Sequence, residues 1–459
     1  MNPALGVARI LWKSVWQAVS LRSALTALLL SPLAVLHAVD NLTAADFRYA
    51  PPNLGTGKLP PPLPTSTRYV TVNRGSDDPE VGAFSTLPNI EHFKGRFFVT
   101  WQNHVKDEDQ PGQRLQMRHS TDGGKTWLPH LGQPPVMLSS PLGVMLAKGE
   151  KSNALKRTQW NSGFAFTHDG KRLWAIANVG ENMDKGLGLL ALELQPDGTR
   201  GEALWLEPEP VLVDASFPVY PAMNDTRFAA LGKEIRDAID NCRAQHAISY
   251  DTKRRAGTEA NPATIRHPKL PGSPADGQRL IEPSPAYRLK DGTLVRFWRN
   301  YGNATRDLFI WRLYVSLSSD DGITWSAPER TAIPSNSTRQ TVGTLPDGRF
   351  FLIHNPYTHG DDFWQGADAS LLATASPAEK YGSARKVLTL SLSDDGIHFN
   401  QAWTIRVLET LPRSEGHSKR HYDAANPAAT VVGDELFIVY SLNKEDIEIC
   451  HVHLSDLPH

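Results

Sequence analysis

Acidic, basic and aromatic side chains recur in this chain in short polar stretches, in a combination suited to proton transfer beside an anion. The stretch "HVKDEDQPG" carries His104, Asp107, Glu108 and Asp109. Arg299 and Tyr301 close the apolar run "TLVRFWRNYG". Arg339, His359 and Arg385 follow, and "LPRSEGHSKRHYDA" adds Arg413, Arg420, His421 and Tyr422. Carboxylates and imidazoles give and take protons. Guanidinium groups bind carboxylates through charge-assisted, often bidentate hydrogen bonds. Gathered in one place, this inventory is that of an acid/base site for an anionic sugar. Scattered, it is the solvated rim that any large domain needs, so the chemistry depends on what the fold brings together.

The elements that must do so announce themselves by their turns. "HSTDGGKTWL" at His119 to Leu128 contains Ser-x-Asp-x-Gly-x-Thr-Trp, and Ser318 to Trp325 repeats it. A looser copy, Leu392 to Phe399, reads as the same pattern with leucine for the first serine and phenylalanine for the tryptophan. Each follows a β-rich run, "RLQMRHS", "LYVSLSS" or "VLTLSLS", which predicts strand, tight turn, strand. The aspartate can accept backbone N–H groups ahead of it, the glycine can take φ > 0, and the ring can wedge between sheets. Three such turns, irregularly spaced, predict a repeat of radial sheets, an all-β propeller.

Five blades are read directly. They begin near Phe84, Thr158, Glu282, Gln340 and Asn426, and "TRYVTVNRG" near the N-terminus is expected to supply the last strand of the last blade. An irregular, partly helical insertion at about 213–280 is expected to hide a sixth. On this map the turns with the aspartate lie on one face. The loops bearing the acidic, basic and tyrosine side chains lie on the other, around a central mouth.

Composition bounds the rest. Lys and Arg together number 48 and Asp and Glu 49, so bulk electrostatics gives no reason to expect a nucleic-acid partner. Residues 1–38, with basic residues ahead of an apolar run from about Ala24 to Leu36, read as a cleaved signal peptide. The expected location is therefore secreted or periplasmic, with no membrane contact beyond that segment. Residues 39–67 read as a Pro-rich linker and 68–459 as the folded domain. Cys242 and Cys450 read as separate thiols, with a bridge as the alternative. No CxxC or HExxH motif occurs, so neither a metal nor a cofactor is expected. Asn336-Ser-Thr338 is one of four glycosylation sequons.

With these turns and blades, the chain resembles the sialidase (neuraminidase) superfamily across most of Phe84 to Leu454. The resemblance implies roles residue by residue. The loop after the second strand of the first blade offers Asp109 as acid/base, with Asp107 and Glu108 as competitors. "IEPSPAYRLKDGTLVRFWRN" matches the stretch that holds the family's general-base glutamate and an arginine, here Glu282 and Arg299. "HNPY" followed by "SARKVLTLSLSDDG" matches the stretch with a second arginine, here Arg385, after Asn355 and Pro356.

Two positions depart from the family. Ser85 and Thr86 stand where the first of three carboxylate-clamping arginines is expected; Arg157, Arg339 and Arg420 are candidate substitutes. The nearest tyrosine to the family's nucleophile is Tyr422, whereas counting back from Gly433 puts Asn426 closer to that position. A bulge would re-aim the strand.

The leading expectation is an exo-alpha-sialidase-like glycoside hydrolase acting on terminal acidic sugars of glycans. Asp109, Glu282 and Tyr422 would be catalytic, and Arg299, Arg385, His104, Arg339 and Arg420 would bind substrate. One alternative is a polysaccharide lyase or another enzyme acting on uronate- or rhamnose-containing glycans, with His104 beside a neutralised carboxylate. Another is a non-catalytic glycan-binding propeller with aromatic platforms at Trp298, Trp364 and Tyr357.

Overall fold

A computed structural model describes residues 42–52, 59–108, 112–138, 159–182, 185–205, 231–238, 275, 278–302, 312–336, 338–356, 385–416 and 423–458. These residues form five antiparallel sheets arranged as the blades of a β-propeller. Blade I is Phe84–Phe93, Arg96–His104, Arg114–Ser120 and Val136–Met137. Blade II is Gln159–His168, Leu173–Asn182, Lys185–Leu194 and Arg200–Trp205. Blade III is Arg279–Pro283 with Tyr287–Arg288, then Leu294–Gly302, Arg312–Ser318 and Glu329–Pro334. Blade IV is Thr341–Thr344, Phe350–His354, Val387–Ser393 and Gln401–Val407. Blade V is Ala424–Val432, Glu435–Leu442 and Asp446–His453.

The fourth strand of blade V comes from the other end of the chain. Arg68–Asn73 pairs antiparallel with Asp446–His453, Tyr69 opposite Cys450. This joins the start of the fold to its end and covers an open sheet edge. The sixth blade expected from 213–280 falls largely outside the described residues. Within that stretch, a short helix at 233–238 lies against blade II, where Thr167 Oγ1 donates to the Ala238 carbonyl at 2.8 Å.

Both faces of each middle strand are buried between blades, which is why they read as nearly continuous apolar runs. In blade I, Phe98, Leu115 and Met117 pack on Leu190 and Leu192 of blade II, whereas Val99 and Trp101 pack on Val439 and Ile449 of blade V. Phe297 and Val315 of blade III meet Leu352 of blade IV, and Leu390 and Trp403 of blade IV meet Ile438 and Cys450 of blade V.

The stretch expected as a linker is partly built into these seams. Arg48–Tyr49 pairs parallel with His398–Phe399, Phe47 is buried between blades III and IV, and Leu63 is buried between IV and V. Prolines spaced by apolar residues gave no strand period, although their partners lie hundreds of residues away. Cys450 is a buried free thiol, and Cys242 lies outside the described residues. Asn336 is buried, so its sequon is closed to a glycan.

The repeated turns close as their composition dictates. Asp122 Oδ1 accepts the N–H groups of Lys125 and Thr126, while Oδ2 accepts the Thr126 hydroxyl at 2.7 Å. Gly124 is required there: its φ is +77°, and a Cβ would lie 2.8 Å from the His451 ring of blade V. The third copy differs in register from the sequence expectation. Ser393 and Asp395, not Leu392 and Asp394, hold the turn; Ser393 Oγ donates to Asp395 Oδ1 at 2.8 Å, and His398 Nδ1 takes the place of the threonine hydroxyl on Oδ2. The copy is one residue shorter between serine and glycine, so matching on the first aspartate slid the pattern by one.

One further device recurs, at the opposite end of the blades. The first strands of blades I, III and V are each broken by a bulge, at Leu87, Glu282 and Asn426, with φ of +49°, +47° and +57°. Each of the three precedes a proline, Pro88, Pro283 and Pro427, which has no N–H for the ladder. The pairing slips there and the bulged side chain is turned out of the strand's alternation.

Candidate active site

Glu282 stands at the bulge of blade III. Ile281, just before it, pairs across the ladder with Arg299, which sets the Arg299 guanidinium against the Glu282 carboxylate in an ion pair. The Glu282 side chain keeps 21% of its surface exposed and that of Arg299 9%, so the pair is open on one side only. Burial pushes the Glu282 pKa up. The charge and hydrogen bond of Arg299, with the fields of Arg339 and Arg385, outweigh it and hold the carboxyl below the ordinary glutamate value. Glu282 is therefore a carboxylate at neutral pH, with three guanidinium groups around it.

Arg339 enters from the link between blades III and IV. That link is pinned by Asn355: Asn336 N donates to its carbonyl at 2.8 Å and Thr338 Oγ1 to its Oδ1 at 3.0 Å. From there Arg339 Nη2 reaches blade I and donates to Asn89 Oδ1 at 2.7 Å. Burial lowers the Arg339 pKa, and the Glu282 charge works against that shift.

Arg385 precedes the third strand of blade IV and is almost wholly buried. Its Nη1 lies 3.2 Å from Oδ2 of Asp423, which has no exposed surface. Asn355 anchors this corner as well. Its Nδ2 points at the carbonyls of Arg385, Val387 and Ala424, at 3.3, 2.7 and 2.9 Å. Asn355 thus fixes Arg339, Arg385 and the first strand of blade V relative to one another.

On the far side of the mouth, Asn426 Nδ2 donates to Thr86 Oγ1 at 2.9 Å, joining blade V to blade I at the two positions that depart from the sialidase pattern. Beside them, His104 Nδ1 accepts the backbone N–H groups of Lys106 and Asp107, both at 3.1 Å, which leaves Nε2 to carry the ring proton. Asp107 is buried with Oδ1 accepting the Glu108 N–H at 2.9 Å, and Glu108 forms an ion pair with Lys444 of blade V.

The structure therefore brings Glu282, Arg299, Arg339 and Arg385 together. His104 stands at the seam of blades I and V. Asp109, Tyr422 and Arg420 lie outside the described residues, as do Arg157, His359, His421, Trp364 and Tyr357 and the side chain of Tyr301. Trp298 is not the exposed platform expected of it: it is 2% exposed, and its Nε1 donates to Ser316 Oγ at 2.9 Å. An apolar strand position is equally a core position, and here the core took it. Arg413 is held by Asp446 at 2.6 Å on the rim. Asn89 and Asp423 went unread. The pre-proline repeat, Leu87-Pro, Glu282-Pro and Asn426-Pro, was the signal that could have marked the strand segments around them.

The chain matches the BNR repeat-like domain family over residues 143–438. It belongs to that family. The matched span runs from before blade II into blade V. No curated protein matches. Among solved structures it is similar to a sialidase, at 19% identity and a TM-score of 0.60, over 88% of this chain and 35% of that one. A Hadza microbial sialidase, Hz136, is 13% identical, with a TM-score of 0.49, over 84% of this chain and 68% of that one. A Dyadobacter fermentans protein of unknown function is 15% identical, with a TM-score of 0.46, over 85% and 100%. The BNR repeat-like chain spans only about a third of the first sialidase, and the likeness shows the fold.

Proposed function

We propose that this chain is a secreted or periplasmic glycoside hydrolase of sialidase type, acting on terminal acidic sugars of glycans. The observation that carries the reading is Glu282, an ionised carboxylate ion-paired with Arg299 in the fields of Arg339 and Arg385. A buried positive cluster of this kind suits a substrate carboxylate, and a carboxylate beside it suits a base. Arg339 takes the part of the clamp that Ser85 and Thr86 leave open, since among the described residues its side chain is bonded to a neutral amide and to no carboxylate. In this reading Asp109 protonates the leaving oxygen, and Glu282 accepts the phenol proton of Tyr422 as the phenol oxygen attacks the sugar. Water then displaces the tyrosine.

The lyase alternative needs a group at the mouth to abstract a proton beside a neutralised carboxylate. His104 does not suit that task, because its Nδ1 is already the acceptor for two backbone N–H groups. The purified chain should release the aglycone from a fluorogenic sialoside or glucuronide, and E282Q should not. An unsaturated, ultraviolet-absorbing product would instead identify a lyase. Binding of glycans without turnover, unaltered by E282Q, would identify a lectin-like propeller.

A further inference from the structure

Polar contacts and the fields of neighbouring charges tie four blades together at the mouth. Glu282 feels Arg385, and Arg385 pairs with Asp423. Three residues further along, Asn426 bonds Thr86; three residues beyond Thr86, Asn89 accepts Arg339, which returns to Glu282. The two halves of the mouth are chemically unlike. Blades III and IV supply the guanidinium donors, whereas Thr86 and Asn89 of blade I and Asn426 of blade V supply neutral hydroxyl and amide groups.

The orientation of the second half is set by a relay. Ser441 Oγ donates to the Ala425 carbonyl at 3.1 Å, which commits its proton. Thr86 Oγ1, 3.4 Å away, then donates to Ser441, and Asn426 Nδ2 donates to Thr86. This leaves Asn426 Oδ1 as the free end of the relay, an acceptor. Among the described residues it is buried and without a hydrogen-bond partner, and so is Oε1 of Gln102, which pairs directly across the ladder from Thr86. A buried acceptor without a donor is costly. Asn426 bears the cost of a left-handed backbone as well. What sets Asn426 apart from Leu87, which shares the left-handed bulge, is its buried acceptor without a donor.

We propose that Asn426, Thr86 and Gln102 form a subsite for a neutral hydrogen-bond donor, a sugar hydroxyl or amide N–H, facing the guanidinium side that takes the carboxylate. The inference rests on the acidic-sugar reading above. It makes this half of the mouth a reader of the sugar ring and its substituents rather than of charge.

The test titrates the full chain with N-acetylneuraminic acid, with glucuronic acid and with cyclohexanecarboxylate, which keeps the carboxylate and lacks every hydroxyl. The wild type should bind at least one sugar about tenfold tighter than cyclohexanecarboxylate. N426G, which accepts the positive φ, should weaken that sugar about tenfold and leave cyclohexanecarboxylate within about twofold. T86V, which breaks the relay with little change of volume, should show the same selectivity. R339A should weaken both ligands. Folding of each variant is checked by circular dichroism and melting temperature. If folded N426G and T86V bind the sugar as the wild type does, or if the wild type does not prefer it to cyclohexanecarboxylate, the subsite is wrong and the charge clamp stands. If the wild type binds neither sugar, the acidic-sugar reading fails and the subsite falls with it.

Discussion

Arg339 Nη2 lies 2.7 Å from Asn89 Oδ1, a hydrogen bond between residues 250 apart in the chain and on different blades. Asn89 sits on the first strand of blade I and Arg339 just ahead of the first strand of blade IV. A side chain can make that contact only if the first strands line a common axis. The bond is thus both a consequence of the ring and the means by which a third guanidinium is held near Glu282.

Glu282 should dominate the pH profile of the acidic side. A base must be ionised, and the arginines keep Glu282 ionised below its ordinary range. The acidic limb of kcat/KM should therefore lie below the ordinary glutamate range. E282Q should lower kcat about a thousandfold while remaining folded by circular dichroism. A limb at pH 6, or an active E282Q enzyme, would remove Glu282 from the role of base.

Asp423 is the buried counter-charge of Arg385. D423N should cost about 3 kcal/mol in urea unfolding, since the guanidinium loses the carboxylate it pairs with in a dry environment. The double variant D423N/R385M should recover part of that loss, whereas two independent sites would simply add.

Glu91, on the first strand of blade I, has its pKa pushed up to about 7 by burial, against the opposing His92 N–H bond. The folded state therefore holds its proton more tightly than the unfolded chain. Stability should decline as pH rises from the ordinary glutamate value to about 7. E91Q, which cannot ionise, should be more stable than the wild type by about 2 kcal/mol at pH 8 and nearly equal to it at pH 4. Parallel stability curves for the two proteins would contradict this.

The register of the third turn is open to a simple comparison. Asp395 accepts the N–H groups of Ile397 and His398, whereas Asp394 holds no such turn. D395N should lower stability by about 1–2 kcal/mol and D394N by less than about 0.5. The reverse order would restore the register expected from the leucine-first alignment.

Much of the fold was legible because its rules are local. The Ser–Asp–Gly turns showed where strands reverse, and the short apolar runs between them had the length of strands. The terminal strand "TRYVTVNRG" was recognisable as the missing partner of the last blade. The stretch 42–67 was not legible, since Phe47 and Leu63 find their partners only once blades III, IV and V exist. Within the mouth, Glu282, Arg299 and Arg385 could be named from the sequence spans around them. Asp423 and Asn89 could not, because nothing next to them in sequence says what they touch.

The sequence by itself determined the blades, the turn chemistry and the set of charged groups sent to one end of each strand, because backbone propensity and hydrogen bonding act within a few residues. Only the tertiary structure decided which of those groups meet. Whether Arg339 reaches Asn89, whether Arg385 finds Asp423, and whether Asn426 faces Thr86 depend on how the blades twist and stack around the axis. That arrangement is the summed packing of many apolar seams, and no single stretch of the chain encodes it.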